Sequence, residues 1–418
     1  MGGELRQRHL RTQRRLRARA HRCRARDDPR AGHDPVRHDA FARAGLQLGP
    51  VSRFGQREQI CLRASSGQEG RLVHLHAQRR WRERGERRVA PAASLSGVGP
   101  IGPIPIPRAG ERATGTFTFA GDPGLEKYDW PYIALAGQVA GPTVLITAGI
   151  HAAEYTGIEA AIRLGRTIRP DSVRGTVVII PVLNRPGFYE RSIYVNPEDG
   201  DNLNRLFPGK ADGSWGERFA HRLLTEIVTR CDHAIDRHAG DLVEDLVPFV
   251  IYRETGDPTR DAVIVRMANA YGAAWAVKSA PTGERPGSLY AVATLAGVAA
   301  ILAESGGRGL LIEEDVERHV RGVTNILKTL GVLSGRVDAK APTIVKSFDW
   351  VRSPVAGMFH CRVRVGQSVK ARDLIGDVTD LVGEPIAAIT APVSGVVLFT
   401  VTSPAIKKDG LLLAIGAL

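Results

Sequence analysis

The chain has 418 residues, enough for two or more domains, and four scattered cysteines without a CxxC pair. Its formal charge of +13 and pI near 9.9 first suggest a nucleic-acid or acidic partner. Residues 1–90, however, contain 23 arginines, no lysine and nine acidic residues, and the remainder has 34 basic and 35 acidic residues. The composition therefore argues against a disulfide scaffold and gives the body of the chain no basic character.

The first ninety residues show no sustained apolar periodicity and cannot bury a core. One interpretation is an Arg-rich arm that neutralises nucleic-acid phosphates. We favour disorder, or an extension that is not native, because a GC-rich gene read in the wrong frame gives Arg-, Ala- and Gly-rich text without Lys. With the Pro/Gly-rich stretch 91–107, residues 1–110 are predicted to be a disordered tail and linker.

The sequence gives no indication of a membrane partner. No apolar run reaches the ~18–20 residues of a membrane span, and no apolar segment of a secretory signal follows the basic N-terminus. We therefore expect a cytoplasmic protein.

Alternating strand and helix patterns predict an α/β catalytic domain over residues 111–336. Strands are expected at 116–119, 132–136, 144–147, 176–182, 232–236, 247–252, 274–278 and 298–303, and helices at about 154–166, 215–228, 259–271 and 314–333. This alternation predicts a mostly parallel mixed sheet flanked by helices. A long polar loop, 184–213, interrupts it and has the length of a functional segment.

Chemically active side chains follow three of the predicted strands. His151 and Glu154 come after the first, His238 after the second and Glu304 after the third. Open α/β sheets bind ligands at the carboxyl ends of their strands, so we expect these side chains to meet. Two imidazoles and a carboxylate form a catalytic zinc set, and Glu304 can transfer the proton of a zinc-activated water.

The polar loop supplies residues for the substrate. Asn204 and Arg205 present an amide and a guanidinium suited to a carboxylate, and Arg191 is a second cation that could stabilise an oxyanion. Tyr290 has two readings: it is a mobile substrate contact, or it packs while Ser288 caps a helix.

In residues 345–418 the sequence pattern changes to short β runs with frequent Gly and Pro turns. SPVAGMF at 353–359 recurs approximately as APVSGVV at 391–397, which predicts a small all-β sandwich of the biotinyl/lipoyl-like type. The predicted hairpin tip, DLVGEP at 380–385, has no lysine, so a carrier role is disfavoured. Shielding of the active-site rim, restriction of large substrates and an oligomer contact all remain open roles.

The motifs HAAE, NPEDGDNLNRLFPG, DRHAGD and AESGG, in this order, resemble those of the succinylglutamate desuccinylase/aspartoacylase family, which belongs to the zinc carboxypeptidase-like superfamily. The resemblance runs from about Thr114 to the C-terminus. It implies one zinc ion per chain on His151, Glu154 and His238, and a general acid/base at Glu304. It also implies that Asn204 and Arg205 bind the substrate carboxylate and that Arg191 polarises the carbonyl.

Two positions depart from the pattern of the family. Ala152 stands where the family usually has Gly, and Arg237 where it often has a hydrophobic residue. Neither change removes a ligand, but both bear on the shape of the pocket.

These observations predict a zinc-dependent amidohydrolase that removes an N-acyl group from a small amino acid or a related carboxylate. Its partner would be a small carboxylate-bearing substrate, and a homo-oligomer is compatible with the sequence. The alternatives are a zinc carboxypeptidase-like peptidase, and a non-catalytic binding protein with a basic nucleic-acid arm.

Overall fold

A mixed nine-stranded sheet forms the centre of the predicted catalytic domain in the computed structural model, which describes residues 99–279 and 287–418. The first ten strands are β1 (Arg112–Phe117), β2 (Trp130–Ala136), β3 (Val139–Ala148), β4 (Arg174–Ile180), β5 (His233–His238), β6 (Glu244–Leu246), β7 (Phe249–Arg253), β8 (Trp275–Ser279), β9 (Ala299–Glu304) and β10 (Thr343–Val345). All except β6 belong to the sheet, in the order β1-β2-β4-β3-β5-β9-β7-β8-β10. Five neighbouring pairs are parallel and three antiparallel, which confirms the predicted mixed sheet.

Helices cover both faces of this sheet. They are α1 (Pro123–Glu126), α2 (Tyr155–Thr167), α3 (Arg185–Glu190), α4 (Trp215–Arg222), α5 (Pro258–Tyr271), α6 (Leu289–Leu295) and α7 (Glu313–Thr329). On one face, α2, α5 and α7 bury an apolar layer that includes Ile158, Met267 and Ile326. On the other, α4 and α6 bury Phe219 and Leu289. The large sheet is therefore a buried middle layer, as its continuous apolar strands predict.

The order of the strands brings three carboxyl ends together. Strands β3, β5 and β9 are parallel neighbours, with Ala148 opposite Arg237 and His238 opposite Glu304. After β3 the chain turns at Gly149, whose φ of +63° favours glycine. A Cβ at Gly149 would also lie 3.0 Å from the side chain of Ile158. This turn sets His151 beside the ends of β5 and β9.

The described part of the lead-in packs against the catalytic domain. Ile101 and Ile104 are buried in the same apolar cluster as Phe119 and Phe219. Residues 99–104 are thus not a linker, because the side chains of Ile101 and Ile104 pack in the apolar core. The prediction of a disordered tail falls on residues 1–98, which lie outside the described residues.

The C-terminal module consists of two antiparallel sheets. Its strands are β11 (Phe348–Arg352), β12 (Gly357–Cys361), β13 (Ser368–Val369), β14 (Leu374–Thr379), β15 (Pro385–Thr390), β16 (Gly395–Val401), β17 (Ala405–Ile406) and β18 (Leu411–Ala417). One sheet has the order β11-β18-β16-β13 and the other β15-β14-β12-β17. The two copies of the repeat lead into β12 and β16, one in each sheet. The likeness of this module to biotinyl/lipoyl domains stays a prediction.

Two strand pairings join the module to the catalytic domain. Strand β6 pairs with β16, and β10 extends the large sheet beside β8. The module is therefore held in place next to the strand ends of the large sheet. Within the described residues, no helix is long and apolar enough to cross a membrane.

Candidate active site

Three buried side chains converge at the strand ends. His151 follows β3, Glu154 immediately precedes α2, and His238 is the last residue of β5. The Nδ1 atom of His151 lies 2.7 Å from one carboxylate oxygen of Glu154, and Nδ1 of His238 lies 2.9 Å from the other. The ligand atoms of all three residues lie within 4.8 Å of one another. Residues that are 87 positions apart in the chain therefore share one small volume.

This set of donors fits a zinc ion. Two imidazole nitrogens and a carboxylate oxygen form a known catalytic zinc set, which keeps one position open for water or substrate. The three residues are also buried, with 8%, 3% and 1% of their surfaces exposed. A buried carboxylate needs a partner of opposite charge, and a divalent cation at this point would bind Glu154 together with the two imidazoles.

The carboxylate of Glu154 contacts both imidazoles and does not cap the helix that follows it. It occupies the N-cap position of α2 but makes no side-chain capping hydrogen bond. Its second oxygen also accepts the backbone N–H of Ala239. Burial acts to raise the pKa of Glu154, but His238 and His151 hold that pKa well below its usual range. The carboxylate is thus kept ionised, as a metal ligand must be.

Each imidazole is also fixed through its other ring nitrogen. Nε2 of His238 lies 3.1 Å from Asp236, whose other oxygen accepts a hydrogen bond from Thr147. Nε2 of His151 lies 3.1 Å from the amide oxygen of Asn202. Such contacts orient histidine ligands in metal sites. Neither partner was predicted from the sequence. Asp236 lies two residues before His238 on β5, so the two side chains share one face of the strand, and this spacing could have indicated the contact.

Replacing Asp236 with asparagine is expected to weaken zinc binding about 10- to 100-fold, because His238 loses the carboxylate that accepts its Nε2 proton. Competition with a fluorescent zinc chelator measures this change. The matched control is Asp232→Asn, one residue before the same strand. Unchanged zinc affinity in the Asp236 variant would contradict this role.

Glu304 lies beside the three converging residues. It ends β9, pairs in register with His238, and lines the adjoining cavity. Its Oε2 atom is buried and has no hydrogen-bond partner among the described residues. Burial raises the pKa of Glu304 well above its usual range; the charges of Glu154 and Glu244 add to this, and His238 opposes it. A carboxyl group in this setting can hold and release a proton.

The predicted carboxylate-binding pair is partly engaged in the fold. Asn204 is buried, its amide oxygen accepts the backbone N–H of Leu289, and its amide nitrogen lies 3.3 Å from Nε2 of His238. Arg205 lines the cavity, and one guanidinium nitrogen donates to the carbonyl of Asn204. Arg205 is thus the member of the pair that remains exposed, whereas Asn204 mainly holds α6 against the site.

Arg191 is not brought to the cavity. The segment predicted as a polar loop contains α3, and Arg191 ends that helix in the left-handed conformation with φ 55°. Its side chain is exposed and is not among the residues that line the cavity. The helix arises because Asn184 caps it and Pro186 fits its first turn. The end of α3 therefore sets the backbone conformation of Arg191, and the sequence pattern did not indicate this helix end.

The two departures from the family pattern lie outside the cavity lining. Ala152 is fully buried, and a Cβ added at Gly187 of α3 would lie 3.1 Å from its methyl group. Arg237 is also fully buried, and it alternates with Asp236 and His238 along β5, so it lies on the opposite face of the sheet. Burial lowers the pKa of Arg237 to about 9.

A cavity of about 1650 Å³ adjoins the converging residues. Besides the predicted residues, its lining includes Tyr194, Glu244 and Arg253, which were not predicted from the sequence, and Tyr290, for which a substrate contact was one of two readings. Tyr290 lies on α6, two residues after Ser288, which stands at the N-cap position without a side-chain capping bond. The C-terminal module contributes a wall that includes Phe348, Trp350 and Lys407. The module therefore forms part of the boundary of this cavity.

Comparison with known proteins supports these observations. Residues 140–330 match the model of the succinylglutamate desuccinylase/aspartoacylase catalytic domain. The chain is 30% identical over 263 residues to the N-alpha-acetyl-L-2,4-diaminobutyric acid deacetylase of Halomonas elongata. This match covers 60% of the chain and 74% of the relative.

Solved structures show the same architecture. The product-bound ectoine utilization protein EutE (DoeB) of Ruegeria pomeroyi has a TM-score of 0.69 and 26% identity, over 77% of this chain and all of that one. A succinylglutamate desuccinylase/aspartoacylase of Rhodobacter sphaeroides has a TM-score of 0.66 and 26% identity, over 75% of this chain and 96% of that one.

Proposed function

Because this chain belongs to the succinylglutamate desuccinylase/aspartoacylase family, we propose that it is a zinc-dependent amidohydrolase. Its substrate is an N-acyl derivative of a small amino acid or of a related carboxylate. The single observation that carries the proposal is the convergence of His151, Glu154 and His238 beside the unpaired oxygen of Glu304.

His151, Glu154 and His238 would hold the zinc ion. A bound zinc ion would polarise the amide carbonyl and lower the pKa of a water molecule toward ~7. Asp236 and Asn202 keep the two imidazoles oriented through their Nε2 atoms. These contacts give the site a fixed geometry before the substrate arrives.

Glu304 moves the proton in this reaction. Its free Oε2 accepts a proton from the water that attacks the amide carbon, and the same group returns a proton to the departing nitrogen as the C–N bond breaks. The products are a carboxylic acid and a free amino acid. The Oε2 atom is buried at the end of β9, so the proton passes between Glu304 and the reactants.

Arg205 is the group that binds the substrate carboxylate. It lines the cavity, and its neighbour Asn204 contacts His238, so the guanidinium lies near the reacting centre. A planar guanidinium suits a carboxylate because it can donate two parallel hydrogen bonds. Arg191 is not retained in the proposal, because its side chain is exposed outside the cavity lining.

An assay of the full chain loaded with zinc tests this function. We expect a panel of N-acyl amino acids to be hydrolysed with kcat/KM at least about tenfold higher than short peptides, a difference of about 1.4 kcal/mol in transition-state binding. Chromatographic measurement of the released amine distinguishes the two. Preferential release of C-terminal residues from peptides would favour a peptidase. If neither class of compound is hydrolysed, the alternative of a non-catalytic binding protein is favoured.

A further inference from the structure

Four aromatic residues line one side of the cavity, where the large sheet meets the C-terminal module. They are Phe249 of β7, Phe348 and Trp350 of β11, and Phe399 of β16, and we call them the aromatic track. The ring centroid of Phe348 lies 6.0 Å from that of Phe249, 4.8 Å from that of Trp350 and 6.4 Å from that of Phe399. Phe249 and Phe399 are buried, whereas 50% of the surface of Trp350 is exposed. The track therefore extends from the interior of the cavity to solvent.

The inner end of the aromatic track lies beside Glu304. Phe249 is the register partner of Glu304 in the antiparallel pair of β7 and β9. The side chains of directly opposed residues lie on the same face of a sheet, with their Cβ atoms about 4.5–5.5 Å apart. Both side chains also line the cavity. An apolar surface thus begins at the residue that transfers the proton in the proposed reaction.

The cations that suit a substrate carboxylate lie toward the other end of β7. Arg253 ends this strand and shares its cavity-lining face with Phe249, at a Cα separation of about 13 Å for a rise of ~3.3 Å per residue. Burial raises the pKa of Tyr290, and the charges of Arg253 and Arg205 act against this rise, so both guanidinium groups lie near one hydroxyl. The cations and the aromatic track therefore occupy different ends of the cavity.

The cavity has room for a ligand much larger than an N-acetyl amino acid. Its volume of about 1650 Å³ exceeds the ~300–1,000 Å³ of most small-molecule pockets. Three charged side chains that the module adds to the lining are hydrogen-bonded to main-chain atoms of the module, and a fourth, Lys407, is exposed. Lys346 donates to Leu418, Arg352 donates to Asp409, and Asp380 accepts from Val382 and Glu384. A substrate therefore needs no charged group at this end of the cavity.

We infer that the aromatic track binds the acyl group of the substrate, and that the preferred substrates carry a long apolar acyl chain. This inference rests on the proposed function. With the carboxylate at Arg205 and the amide carbon beside Glu304, the acyl chain continues along the track from Phe249 toward Trp350. Each methylene group that leaves water against these rings favours binding. The reaction is unchanged: water adds to the carbonyl carbon, the C–N bond breaks, and an apolar carboxylic acid leaves with the free amino acid.

Hydrolysis of two matched substrates by the zinc-loaded full chain tests this inference. They are the N-acetyl and N-octanoyl derivatives of whichever amino acid the substrate panel releases fastest. We expect kcat/KM for the octanoyl substrate to be about 10- to 100-fold higher, because its longer chain reaches the track. The Trp350→Ala variant should lose about tenfold in kcat/KM with the octanoyl substrate and less than about threefold with the acetyl substrate.

Two further variants separate binding by the track from a general effect on the fold. Trp350→Phe keeps an apolar ring and should retain most of the preference for the octanoyl substrate. Tyr189→Ala is the matched control, since Tyr189 is an aromatic residue of α3 that is 77% exposed and does not line the cavity. The inference would be overturned, with the proposed function intact, if the unmodified protein preferred the acetyl substrate. An equal loss for both substrates in the Trp350→Ala variant would overturn it as well.

Binding of the free acids distinguishes a failure of this inference from a failure of the proposed function. Octanoate and acetate share the carboxylate and differ only in the apolar chain, so calorimetry with both acids reports on the track even if no amide is hydrolysed. We expect octanoate to bind the unmodified protein about tenfold or more tightly than acetate, and the Trp350→Ala variant to lose most of this advantage. Equal affinities of the unmodified protein for the two acids would show that the rings only pack the module against the sheet.

Discussion

Replacement of Glu304 by glutamine is expected to lower kcat/KM for amide hydrolysis about 10²- to 10⁴-fold, the usual contribution of a general acid–base. The physical reason is that an amide cannot accept the proton of the attacking water, although it fills the same space at the end of β9. Zinc content should remain at about one ion per chain, since Glu304 is not one of the three converging donors. Steady-state kinetics and metal analysis on the same preparation measure both quantities.

An exposed glutamate provides the control for this substitution. Glu314 lies in the first turn of α7, with 77% of its side chain exposed, and its carboxylate pairs with Arg318. Glu314→Gln should therefore keep full activity, since a surface ion pair contributes only about 0–1 kcal/mol. Full turnover by the Glu304→Gln variant would contradict the proton transfer assigned to Glu304. Loss of both zinc and activity would instead show that Glu304 acts through the structure of the metal site.

Removal of zinc by a chelator is expected to abolish hydrolysis, and about one equivalent of zinc should restore it. Magnesium should fail to restore activity, because it prefers oxygen ligands to imidazole. Zinc should also raise the free energy of unfolding, by about 2.7 kcal/mol at a free concentration of 100 times its Kd. Activity assays and thermal unfolding after dialysis measure these effects.

The His238→Ala variant is the companion to this experiment. It removes one of the three donors, so added zinc should neither restore activity nor stabilise the fold to the same extent. Circular dichroism checks that the variant is folded. Undiminished hydrolysis by protein in which zinc is undetectable would contradict the metal-dependent mechanism.

The local pattern of the chain was sufficient for the main elements of the catalytic domain. The β-branched run before Gly149 forms β3, and the apolar run 176–182 largely forms β4, because a strand buried on both faces needs a continuous run of apolar residues. The same reasoning placed His151, His238 and Glu304 at strand ends, and the structure brings these ends together. Their catalytic roles remain a proposal.

The ends of helices and loops were predicted less well from the sequence pattern. The helix predicted over 215–228 continues beyond α4 as a π turn and a short 3-10 helix, and the predicted polar loop contains α3. Short helices depend on local capping, such as that of Asn184, more than on periodicity. For this reason the exposed position of Arg191 could not be read from its place in the motif.

The sequence by itself determined which residue types stand at the ends of the predicted strands, and it indicated the family through four motifs. Only the tertiary structure decided that β3, β5 and β9 are neighbours, that Asp236 supports His238, and that Glu244 lines the cavity. Strand order and the pairing of β6 with β16 are contacts between distant parts of the chain. Such contacts depend on how whole elements pack, and a local pattern of side chains does not encode that choice.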